Sequence, residues 1–149
     1  MERAGRMLAL RPRTIKEMRD RLTEAEIPDD VVEETVTRLV ELQLVDDKDF
    51  ATDWIEERSR RKGLGPRALM AELAAKGIER SLVEEVLAEL GHDEVAQAKA
   101  EAEKHLRKVL RFPLKQQGAK LQQILVRKGF SYEAASEGAR SVLPPEGWD

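Results

Sequence analysis

The chain has 149 residues, of which 41% are hydrophobic, 4% aromatic and 37% charged, whereas globular chains run at about 45–50% apolar and about 25% charged. Much of the apolar share is alanine, which fills little volume, so one thick core is excluded and a thin fold is expected. No stretch approaches the roughly 20 apolar residues of a membrane-spanning helix, 0 cysteines exclude a disulfide scaffold and Cys–zinc sites, and the formal charge is −3.

Taken in chain order, Met7-Leu8-Ala9-Leu10 is too short for a secretory apolar region and is followed by Arg11 and Arg13, so a cytoplasmic protein is expected. A short helix is predicted from about Glu2 to Leu10. Thr14 with Glu17 forms a capping-box pattern that opens a second helix, and Pro28-Asp29-Asp30 opens a third. Asp46-Asp47 then precede a helix predicted from about Lys48 to Lys62, with Phe50, Ala51, Trp54 and Ile55 on one stripe that places Trp54 toward the core. Capping and the helix dipole account for that acidic pair. Gly65-Pro66 puts proline at a first helical position, and Ser81 with Glu84 repeats the capping box. A long helix is predicted from about Glu94 to Arg111, with Ala98, Ala102, Leu106 and Val109 or Leu110 at helical spacing, ended by Phe112-Pro113. Ser131 opens the last helix, and Gly77 and Gly129 suit a left-handed residue just past a helix end. β-branched residues never alternate usefully with polar ones, so no strand is predicted.

Self-comparison organises these elements. Met18, Leu22, Ile27, Val32, Val36 and Leu39 recur as Leu69, Leu73, Ile78, Val83, Leu87 and Leu90, and again as Leu121, Leu125, Phe130, Ala135, Ala139 and Val142. Steps of three and four are helical, and the steps of five mark a break between two helices. The punctuation repeats too: Lys76-Gly77-Ile78 matches Lys128-Gly129-Phe130, while the first copy departs with Ala25-Glu26-Ile27. The reading is all-α: three tandem three-helix repeats, residues 1–46, 47–92 and 93–149, the last with a short C-terminal tail. Units this small bury little alone, so they are expected to stack into an elongated, curved, solenoid-like array. The third repeat is expected to be the loosest, since Ala135 and Ala139 replace larger residues and Gly138 sits inside its last helix.

Charge follows the repeats. Eight bases and 11 acids in the first give −3; 8 and 10 in the second give −2; 10 and 8 in the third give +2. Two windows hold bases and no acid. One carries Arg58, Arg60, Arg61, Lys62 and Arg67; the other carries Lys104, Arg107, Lys108, Arg111, Lys115, Lys120, Arg127 and Lys128. From Leu22 to Val36 the pattern inverts, with six acids and no base. The basic windows point to a strongly anionic partner for the middle and C-terminal parts.

Catalytic patterns are nearly absent. His92 and His105 lie 13 residues apart and read as surface residues. Gly63-Leu64-Gly65-Pro66 lacks the Lys-Ser/Thr of a phosphate loop. No enzyme, cofactor or metal is expected. Trihelical units can be helix-turn-helix modules, but the last helices of the first two repeats are acidic and would be repelled by phosphates. Direct DNA contact would instead come from the basic first helices and the loops after them, and would be strongly salt-dependent.

Leu44-Val45-Asp46-Asp47, Phe50-Ala51, Trp54, Arg58, Gly65-Pro66, Glu72-Leu73, Lys76-Gly77-Ile78 and Arg127-Lys128-Gly129-Phe130-Ser131-Tyr132, in that order on a threefold trihelical repeat, resemble the RecX regulators of bacterial recombinase. The resemblance covers almost the whole chain. It implies a curved, elongated monomer that binds the RecA recombinase, chiefly as its filament on single-stranded DNA, lodges along the filament groove, and inhibits ATP hydrolysis and strand exchange in DNA repair and the SOS response. The thirteen bases of the two windows are then the expected contacts to filament or DNA. The alternative is a helical-repeat protein that binds single- or double-stranded DNA without the recombinase.

Overall fold

A computed structural model describes residues 1–148. Among them lie nine α-helices and no strand: α1 (Glu2–Leu10), α2 (Ile15–Glu24), α3 (Asp29–Glu41), α4 (Asp47–Lys62), α5 (Pro66–Ala75), α6 (Arg80–Glu89), α7 (Glu94–His105), α8 (Leu114–Arg127) and α9 (Tyr132–Val142). Short 3₁₀ turns occupy Leu106–Lys108 and Pro145–Gly147. Three helices therefore fall in each sequence repeat, as the periodicity predicts.

The aligned apolar positions form the core. Met18, Leu22, Val32, Val36 and Leu39, then Leu69, Leu73, Ile78, Val83 and Leu87, then Leu121, Leu125, Phe130, Ala135 and Ala139 are all buried. Ile27 and Val142 are half-buried. Leu90 is 38% exposed, because α6 ends at Glu89 and the left-handed Gly91 turns the chain away.

Local chemistry sets the helix ends. Thr14 Oγ1 accepts from the Glu17 N–H at 3.1 Å, and the Glu17 carboxylate accepts from the Thr14 N–H at 3.1 Å, closing the expected capping box. The Asp46 carboxylate accepts from the N–H groups of Lys48 and Asp49, and Asp47 Oδ1 accepts from the Ile15 N–H at 2.9 Å. The acidic pair thus caps two helices. Ser131 caps α9 by accepting from the Ala134 N–H.

Four expectations need correction. α6 begins at Arg80, so Ser81 lies inside its first turn rather than capping it. α7 stops at His105 instead of reaching Arg111; the chain tightens into a 3₁₀ turn, which buries Val109 completely and leaves Leu110 exposed. Trp54 is only half-buried: its ring stacks on Phe50 with centroids 5.8 Å apart, and its Nε1 donates to Glu72 Oε1 at 3.0 Å. The small residues of the third repeat are a packing device rather than a weakness. A Cβ on Gly138 would lie 2.9 Å from the Ala98 carbonyl, so α9 lies directly against α7, with Ala134, Ala135 and Ala139 buried.

The chain divides into two compact units, and neither is one repeat. The first combines Met1–Ile55 with Glu72–Glu89; the second combines Glu56–Ala71 with the chain from Leu90 onward. The two Lys-Gly turns explain this division, because each docks backward onto the helix start of the preceding repeat. In the first unit, Thr14 Oγ1 donates to the Lys76 carbonyl at 2.7 Å, Lys76 Nζ reaches Glu17 Oε2 at 3.3 Å, and a Cβ on Gly77 would fall on the Lys16 side chain. In the second, the Gly65 N–H donates to the Lys128 carbonyl at 2.8 Å and the Arg67 N–H to the Gly129 carbonyl at 2.9 Å. Both glycines are left-handed, with φ of 85° and 101°.

Thr14 therefore serves its own helix and the later turn together. Thr14→Ala is expected to cost roughly 2 kcal/mol, the upper end for a lost N-cap, because the Lys76 carbonyl also loses its donor. Urea denaturation of the variant checks the value; a loss below about 0.5 kcal/mol would contradict the dual role.

Candidate functional site

The second unit brings both basic windows together. One groove, of about 510 Å³, is lined by Arg107, Lys108, Val109, Arg111, Phe112, Lys120, Gln123, Ile124 and Arg127. Its bases come from the 3₁₀ turn, the loop that follows and one face of α8. Lys120, Gln123, Ile124 and Arg127 recur at helical spacing, which puts them on that face. Arg111 and Lys120 hold their charges 4.9 and 5.1 Å from the centroid of the half-buried Phe112 ring. The ring draws in and fixes two cations that would otherwise repel each other. Arg107, Lys108, Arg111 and Arg127 are exposed, so the groove presents five cations to a ligand.

A second basin, of about 400 Å³, is lined by Arg60, Arg61, Lys62, Gly63, Leu64, Glu101, Lys104, His105 and Lys128. Here the end of α4 meets α7 and the end of α8. At its floor is Glu101, only 4% exposed. Its carboxylate lies 3.2 Å from Lys104 Nζ, 3.3 Å from His105 Nε2 and 3.9 Å from Lys128 Nζ. Lys128 Nζ also donates to the Lys62 carbonyl at 2.7 Å. One buried anion thus gathers bases from distant parts of the chain. Gly63, with φ 61°, makes this approach possible, since a Cβ there would fall on the Glu101 carboxylate.

Of the thirteen bases expected from the sequence, Arg58, Arg67 and Lys115 line neither cavity. All three belong to the second unit; Arg58 is half-buried, and Arg67 and Lys115 are exposed. Sequence reasoning missed Glu101, His105, Phe112 and Gly63. Glu101 escaped because the acid-free window opens three residues after it. The left-handed Gly63 closing α4 was the one available signal for that corner.

His105 is not a surface residue: its side chain is 16% exposed and bonded to Glu101, while its Nδ1 is buried without a hydrogen-bond partner. Burial, then the charges of Lys108 and Lys128, hold its imidazole below the ordinary 6.5 despite Glu101. Burial does the same to His92. Both rings stay neutral in the fold where the unfolded chain would protonate them, so stability must fall as pH drops through about 6.5. The urea midpoint is expected to decline from about pH 7.5 to 5.5, and the decline to flatten in His92→Gln/His105→Gln. A slope unaltered by both substitutions would refute the assignment.

Among the described residues, no helix is long and apolar enough to cross a membrane. Three family models match in order along the chain: the first three-helix domain of RecX at residues 1–39, the second at 46–87 and the third at 92–137. Regulatory protein RecX of Streptomyces lividans is 33% identical over 145 residues, spanning 97% of this chain and 77% of that protein. Regulatory protein RecX of Mycobacterium avium is 37% identical over 146 residues, spanning 95% and 83%. The crystal structure of RecX from Lactobacillus salivarius matches with a TM-score of 0.85 at 26% identity, over 95% of this chain and 92% of that one. With an all-α repeat fold and matches to all three domains in sequence order, the chain belongs to the RecX family of regulatory proteins.

Proposed function

We propose that this chain regulates the RecA recombinase by binding its filament on single-stranded DNA, and that it chiefly inhibits ATP hydrolysis and strand exchange. The family assignment supplies the recombinase as partner. The observation that supports this mode of binding is the five-cation groove of Arg107, Lys108, Arg111, Lys120 and Arg127. A nucleoprotein filament is a polyanion, and a groove with fixed positive charge attracts it at long range. The protein acts by occupancy, as a monomer, with no chemistry of its own, and works beside the recombinase in the cytoplasm during DNA repair and the SOS response.

The acidic surface belongs to the same reading. α3 carries Asp29, Asp30, Glu33, Glu34 and Glu41 against Arg38, and suits basic protein surface rather than phosphate. The second basin is a weaker anion site than the groove, because Glu101 already neutralises part of its charge.

The test is a recombinase ATPase assay on single-stranded DNA, titrated with this protein, beside binding to naked DNA at low and physiological salt. Inhibition at concentrations that leave naked DNA unbound is the expected result. Binding to bare DNA with no effect on the recombinase would overturn the proposal in favour of a direct nucleic-acid binder.

A further inference from the structure

Among the described residues, Glu101 is the only buried carboxylate, and attraction of an anion gives it no task. Its place is specially made. Gly63 must be left-handed and lack a Cβ for the carboxylate to sit there, and a carboxylate out of water is costly unless it is paired. Lys104, His105 and Lys128 answer it. The His105 ring is neutral, so two lysines supply the opposing charge.

The basin above Glu101 adjoins the five-cation groove. His105 and Arg107 lie two residues apart and Arg127 and Lys128 are neighbours, so the chain passes from one cavity to the other twice. Neighbouring Cα atoms are about 3.8 Å apart, so a flexible single strand lying in the groove reaches the basin without leaving the surface. Without Glu101 that strand would find Lys104 and Lys128 free. With Glu101 in place, both lysines already have their counterion. A cation paired in this way releases no solution ion when a phosphate arrives, so it adds little to the main driving force of binding.

A strand inside a filament differs from a bare one. Its own protein fixes its path, so it cannot fold into a second cavity. The filament also offers protein surface to the acidic α3, which a bare strand does not. Charge in the basin therefore favours bare DNA more than it favours the filament, and cancelling that charge widens the difference between the two partners.

We propose that Glu101 is a specificity-determining residue, a resident counterion that withholds Lys104 and Lys128 from phosphates and so keeps the protein from being captured by bare single-stranded DNA. The benefit to the filament rests on the partner proposed above; the effect on bare DNA does not.

Glu101→Gln keeps the shape of the side chain and frees the two lysines. Fluorescence anisotropy of a labelled oligothymidylate, read over a range of salt concentrations, gives the bare-strand affinity. It should rise roughly fifteenfold at about 0.15 M salt, and the salt slope should steepen by about 1.4, the value of two added phosphate contacts. On DNA fully coated by recombinase, the concentration for half-inhibition of ATP hydrolysis should move by less than about threefold. A folded Glu101→Gln protein with unchanged bare-strand affinity and slope would overturn the proposal, and so would an equal gain for strand and filament. If the natural protein does not inhibit the recombinase, the partner reading fails, while the bare-strand measurement still decides what Glu101 does.

If Glu101→Gln does not fold, two single changes in the natural chain decide the matter. Lys104 and Arg107 are both exposed and lie three residues apart. Lys104→Gln should alter bare-strand affinity by less than about twofold, whereas Arg107→Gln should lower it roughly fourfold. Equal losses from the two would overturn the proposal, because they would show Lys104 to be as available to phosphate as Arg107.

Discussion

Reversing the charge at Arg107, Lys108 and Arg111 together should reduce affinity for the recombinase filament by more than about fiftyfold and remove inhibition at concentrations where the natural protein is saturating. The magnitude follows from counterion release. Binding of a single strand falls with salt by about 0.7 log unit per log unit for each phosphate contact, so one contact is worth roughly fourfold at about 0.15 M and three about fiftyfold. Reversal adds repulsion to that loss. The three side chains are exposed, so the fold should persist, which circular dichroism verifies. The salt slope should also fall by about two. A folded variant that inhibits as well as the natural protein would remove the groove from the binding surface. Reversal of Arg60 and Arg61 should weaken binding less, since the second basin contains Glu101.

Gly129→Ala should destabilise the fold by roughly 3–5 kcal/mol. The left-handed conformation costs an ordinary residue about 1–2 kcal/mol, and φ of 101° lies beyond even that region. The added methyl would also meet the backbone of Ala68, which cannot give way as a side-chain tip can. Overpacking of this kind adds about 1–3 kcal/mol. Gly77→Ala should also be strongly destabilising, because φ is 85° and the methyl there meets Lys16 Cβ, which is fixed to its backbone. Glu26→Gly should stabilise by about 1 kcal/mol, since the same left-handed shape is held there by a residue with a Cβ. Urea midpoints for the three variants give the order. A Gly129→Ala protein within about 1 kcal/mol of the natural chain would contradict the backward docking of the turn.

The fold was largely legible because its signal is local and repeated. Helical spacing alone places Met18, Leu69 and Leu121, with most of their aligned partners, in the core. The end of α7 was not legible, because neither glycine nor proline stands between His105 and Phe112. The value of Gly138 was hidden for a different reason: an interior glycine weakens an isolated helix but permits close approach of a neighbour, and only the neighbour's position decides which effect prevails. The basic windows are visible in the sequence as stretches without an acid. Their convergence was not readable, since it depends on Lys62 meeting Lys128, 66 residues away, around an acid that lies outside both.

The backward docking also sets an order of events during synthesis. Thr14 waits for Lys76, 62 residues later, and Gly65 waits for Lys128. At about 5–20 residues per second, the start of each second helix leaves the ribosome roughly 3–12 seconds before the turn that completes it. The first unit can close while the second is still being translated, and the second must wait until Lys128 has been made. A pause placed before the codon for Lys128 would therefore prolong exposure of the α5 start.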